Sequence, residues 1–131
     1  MTLPVLNRSE LIDISAREEI IKATANQIIK DFAEFGLDIQ FSGETANFYQ
    51  ELFSQMEVHV ASLMTNHYSK FLSFLYRIDI SNKEIILYEN ELPGQSQSYV
   101  MTELIIHREI KKVLFRTYYS SQNSSKNSSN D

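Results

Sequence analysis

The chain has no cysteine, and its 131 residues include only three glycines. Without cysteine no disulfide can form, and any metal site has to be built from nitrogen and oxygen ligands. The glycines stand at 36, 43 and 94. In those contexts they form neither a glycine-rich phosphate loop nor a Gly-x-Ser-x-Gly turn that would present a nucleophilic serine. Positive charge is also short, with 12 Lys and Arg against 17 Asp and Glu and a net charge of −5. That balance argues against indiscriminate attraction to nucleic-acid backbones, although a local basic face can still form. No run approaches the roughly 20 apolar residues that a membrane span requires. The opening Met-Thr-Leu-Pro-Val-Leu-Asn-Arg-Ser-Glu has no basic segment followed by an apolar core, so it does not read as a secretory signal. The expected location is cytoplasmic.

What is present is enough apolar material to fold. The chain is 43% hydrophobic and 22% charged, with 8 Phe and 7 Tyr, far from the composition that keeps chains unfolded. Its length suits one domain, over 1–119. The stretch 120–131 contains only Ser, Gln, Asn, Lys and Asp, cannot recover its ordering entropy by burial, and reads as a disordered tail.

The spacing of apolar residues predicts helices. Ser15-Ala-Arg-Glu18 has the form of a capping box and Gly36 suits a left-handed helix end, which brackets a helix over 15–35. Ile21, Ala25, Ile28, Ile29, Phe32 and Phe35 share one face of it. Leu37 to Phe41 alternates apolar and polar and reads as an extended connector. Phe48, Leu52, Met56, Val60, Met64, Tyr68, Leu72 and Leu75 then advance almost wholly by fours, predicting one continuous helix over 44–78. Ser81-Asn-Lys-Glu84 resembles a second capping box and opens a short helix over 83–89. After the loop at 92–98, a final helix runs to about Tyr118. The expected fold is therefore all-α: three long helices and one short helix in an up-and-down bundle. The alternative is an α+β fold in which 37–41 and 85–88 pair as a minor two-stranded sheet. Phe35-Gly-Leu-Asp-Ile39 and Tyr76-Arg-Ile-Asp-Ile80 echo each other at predicted helix ends, which is too little for a repeat architecture.

Residues that could carry chemistry are few. His59 and His67, eight apart on one helix, would lie about 12 Å apart along its axis and cannot share a metal. Glu103 and His107 are spaced i,i+4 over one turn, a weak candidate metal or acid/base pair that misses the Glu-x-x-His spacing of di-iron bundles by one residue. No catalytic residue, metal centre or cofactor is assigned, and a binding or assembly protein is favoured over an enzyme. The final helix stands out: Arg108, Lys111, Lys112 and Arg116 share one arc, with Met101, Leu104, Ile105 and Phe115 among them. These basic residues with Phe115 are the expected contact surface, for a protein partner or for a second copy in a homodimer that also uses Phe71 to Ile78. A small-molecule or metal-binding bundle using Glu103 and His107, and a nucleic-acid accessory protein using the basic face, are the alternatives.

Overall fold

The structure, a computed structural model, describes the backbone of Arg8 and of residues 17–129 and the side chains of those residues as far as Thr117. Five α-helices carry the described fold: α1 (Glu18–Ala33), α2 (Phe48–Asn66), α3 (Tyr68–Arg77), α4 (Asn82–Glu91) and α5 (Gln97–Ser129), with a 3-10 turn at Thr45–Asn47 ahead of α2. No strand occurs among the described residues, and 85–88 lies inside α4, so the alternative two-stranded sheet is ruled out. No described helix is long and apolar enough to cross a membrane.

The bundle is organised around its last helix. Every residue from Val100 to His107 is buried, as are Glu109, Ile110 and Val113, and α1, α2 and α4 all pack against α5. A helix that is apolar on two sides finds its place at the centre, where neighbours cover both. Met101, Leu104 and Ile105, which depart from the main stripe, are each 1% exposed or less. The helical backbone runs to Ser129, past the end near Tyr118 that the apolar pattern suggested.

Helix α1 opens at Glu18 with extended Arg17 before it; Ser15, the expected cap, lies outside the described residues. Its far end closes at Gly36 (φ 74°), where Leu37 N–H donates to Phe32 O and Gly36 N–H to Ala33 O. Helix α3 ends with the same pair of bonds, Ile80 to Leu75 and Asp79 to Tyr76, around Asp79 at φ 64°. Aspartate is one of the few non-glycine residues that tolerates this conformation. The echo seen in the sequence is therefore a shared way of ending helices, with Gly36 matched by Asp79 rather than by Arg77.

The expected continuous helix over 44–78 is two helices. The chain breaks at His67 (φ −144°, ψ 58°), after Thr65 and Asn66, residues with weak helix propensity. The break turns the buried face. Phe48, Leu52, Met56 and Val60 are buried as the four-residue spacing predicts, but beyond His67 the core takes Phe71, Phe74, Leu75 and Ile78, leaving Tyr68 and Leu72 exposed. Phe74 sits edge-on to both Phe32 and Phe35.

The connector at 37–42 is extended, as expected, and is held by a polar ladder on α2. Glu51 accepts from Ser42 N–H (2.5 Å) and from its hydroxyl (2.8 Å); Gln55 accepts from Gln40 N–H (2.9 Å) and donates to Gln40 O (2.7 Å); His59 Nε2 meets Asp38 O at 2.8 Å. The geometry follows from two periods. Two residues of extended chain advance about 6.8 Å and four residues of helix about 6 Å, so alternate connector residues meet every fourth helix residue. The intervening Ile39 is buried and Phe41 half-buried against the core. Replacing Gln55 by Ala removes the partners of both Gln40 backbone groups, and a loss of about 1 to 2 kcal/mol in urea unfolding is expected.

Candidate functional site

Two polar clusters and one aromatic cleft surround α5. The first cluster is centred on Glu103, 2% exposed at the middle of the bundle. One of its oxygens accepts from the Arg8 guanidinium at 2.7 Å, and the other from the hydroxyl of Tyr49 on α2. His107, one turn further along α5, is 1% exposed; its Nδ1 lies 2.9 Å from the Tyr88 hydroxyl of α4, and its Nε2 lies 3.6 Å from Glu103. Burial pushes the imidazole down to about 4, with help from Arg8 and Lys111 and against the pull of Glu103. His107 is therefore neutral at pH 7, and its contact with Glu103 is not an ion pair. Burial also raises the tyrosines: Tyr49 further through its bond to Glu103, and Tyr88 through the nearby charge of Glu91. Both stay protonated, and Tyr49 donates to Glu103. Burial works against the charge on Arg8, but the hydrogen bond and field of Glu103 more than offset it.

The sequence-predicted pair Glu103 and His107 thus does come together. Its surroundings suit structure more than metal chemistry: a cation already binds Glu103, and no group of three His, Asp or Glu side chains with metal-holding geometry occurs among the described residues.

The second cluster joins α1 to α5. Arg116 donates to Gln27 Oε1 (2.8 Å), Gln27 donates to Asp31 Oδ1 (2.9 Å), and Lys112 donates to Asp31 Oδ2 (3.1 Å). Glu109, fully buried, faces Asp31 from α5. Burial, then the hydrogen bond and like charge of Asp31, push Glu109 up to about 9, opposed by Lys112 and Arg108. Burial also works against ionised Asp31, but the bonds from the Glu109 acid and from Lys112 hold it below the usual carboxylate range. Glu109 is therefore the protonated member of the pair and Asp31 the ionised one.

These contacts account for three of the four cations on the expected basic face. Arg108 donates to Ile78 O (3.0 Å) and Asp79 Oδ2 (3.2 Å), covering the C-terminal end of α3, while Lys112 and Arg116 are held by Asp31 and Gln27. Lys111 and Phe115 are half-buried. The face is largely turned to the protein's own helices.

The cleft lies where α2 meets the start of α5. Tyr49 stacks on Phe53 with ring centroids 5.7 Å apart and 20° between planes, and Tyr99 tilts against Phe53 at 5.0 Å. With Gln50, Ser54 and Glu57 they line an open cleft of about 300 Å³. Tyr49 connects it to the buried Glu103, so the ring is fixed from behind. Neither Tyr49 nor Tyr99 stood out in the sequence, where the one available signal is the i,i+4 spacing of Tyr49 and Phe53. A second open cleft of similar volume, lined by Ala23, Asn26, Gln27, Lys30 and Arg116, is polar and borders the Asp31 cluster. Comparison with protein-family models, curated proteins and solved structures finds no match to this chain.

Proposed function

We propose that this chain is a binding protein that takes a small, partly apolar ligand in the cleft of Tyr49, Phe53 and Tyr99. The observation that carries this reading is the gathering of three half-buried aromatic rings from two helices around one cleft, with Tyr49 anchored to a buried carboxylate. Partly apolar concave sites with a few fixed polar groups are the usual form of small-molecule sites. Rings held in place before binding lose little entropy on contact. An enzymatic role is less well supported, because His107 is buried and not among the side chains that line the cleft, whose single carboxylate is Glu57. Nucleic acid or an acidic protein on the last helix would have to compete with Asp79, Asp31 and Gln27 for Arg108, Lys112 and Arg116. A reducing location such as the cytoplasm fits a chain without cysteine.

A saturation-transfer screen of small aromatic and alicyclic fragments tests the reading. Hits are expected against the native chain, and their signals are expected to fall at least about threefold with Phe53→Ser, the size of effect that losing one aromatic wall produces. Hits that are indifferent to Phe53→Ser would overturn it.

A homodimer is a second reading, favoured by one observation: Tyr68, Leu72 and Tyr76, spaced i,i+4,i+8 on α3, are 58%, 48% and 89% exposed. The Phe71, Phe74, Leu75 and Ile78 side chains that first suggested such an interface are used inside the bundle. Light scattering over a concentration series separates the cases: a mass that stays monomeric to high micromolar concentration removes the dimer.

A further inference from the structure

We infer that the ligand of the Tyr49–Phe53–Tyr99 cleft is a small organic cation with a substituted ammonium head. This deepens the proposed function and rests on it. Two properties of the cleft converge. Three of its six lining side chains are aromatic, and the quadrupole of such a ring presents negative charge to a cation lying over its face. Its one charged lining residue is Glu57, with no Lys or Arg among the lining side chains, so an anion would meet repulsion and a cation attraction. The net charge of −5 adds long-range attraction of the same sign.

A substituted ammonium fits better than a bare one. Its methyl groups cover apolar ring surface, while its diffuse charge costs less to remove from water than that of a compact ion. The rings then supply the contact area and Glu57 the charge.

The test uses choline and its uncharged isostere 3,3-dimethyl-1-butanol, titrated separately while the ring resonances of Tyr49, Phe53 and Tyr99 are followed by NMR. Choline is expected to shift these rings with millimolar affinity, about tenfold tighter than the isostere, as a partly desolvated cation–π contact implies. Glu57→Gln is expected to weaken choline about threefold and to leave the isostere unchanged. Equal binding of the two probes would overturn the cation inference and leave the cleft reading standing. Binding of neither at 50 mM, or choline shifts confined to residues away from these rings, would overturn both; 50 mM is about ten times the Kd expected of so small a ligand.

Discussion

Replacing Glu109 by Gln is expected to make the protein more stable at pH 7 and above, although it removes a fully buried charged-type residue. The sign follows from linkage. The Glu109 carboxyl titrates near 9 in the fold against an ordinary value of 4.5. Below about pH 4.5 it is protonated in both states and contributes no pH dependence. As pH rises from there, the unfolded chain releases a proton that the folded chain retains, and stability falls by up to about 1.4 kcal/mol per pH unit until the folded group ionises near 9. Glutamine has the shape of the protonated acid, can still donate to Asp31, and does not titrate. The variant should therefore match the native chain near pH 4.5 and gain on it steadily up to pH 9, by roughly 5 kcal/mol at pH 8. Calorimetric unfolding from pH 4 to 10 measures this. Parallel profiles for the two chains would mean that Glu109 is ionised in the fold. Asp31 acts in the opposite sense: its carboxylate is held below the usual range, and its contribution is lost as pH falls through that lowered value.

Replacing Glu103 by Ala is expected to cost about 3 kcal/mol or more. The change leaves the Tyr49 hydroxyl and the Arg8 guanidinium without their acceptor. The one-third exposure of the Arg8 side chain lets water take part of that load, which places the effect at the lower end for a broken buried pair. Arg8→Ala should cost less than Glu103→Ala. The double variant should fall short of the sum by about 1 to 3 kcal/mol, the coupling expected of groups in one network. Additive losses in urea unfolding would mean that Arg8 and Glu103 do not act together.

How much of this was legible in the sequence depended on what each residue had to satisfy. Helix positions followed from apolar spacing, because burial rewards every apolar residue placed on the inner face; Ile21, Ala25, Ile28 and Phe32 are buried as their pattern requires. The second capping box was legible too, and Ser81 and Glu84 cap each other's backbone at the start of α4. The turn at His67 was not, since Tyr68 and Leu72 keep the four-residue phase and only tertiary packing selects Phe71 and Phe74 instead. The basic arc of α5 was visible, but its partners Asp31, Gln27 and Asp79 come from distant parts of the chain, and no local pattern tells a solvated lysine from a paired one. Glu109 left a usable trace: it stands four residues from Ile105 and from Val113, both buried, so it interrupts an apolar row. The cleft needed Tyr99 brought beside Phe53, a meeting across 46 residues that is decided by the packing of α2 on α5.

The most direct test of the account is chemical-shift mapping, over the whole labelled chain, of the fragments that bind it. Shifts centred on Tyr49, Phe53 and Tyr99, with a weaker response at Glu103 through the Tyr49 hydroxyl, are the predicted result. Shifts centred on Arg108, Lys111, Lys112 and Arg116, with the aromatic cleft silent, would contradict it and return the contact surface to the basic side of the last helix.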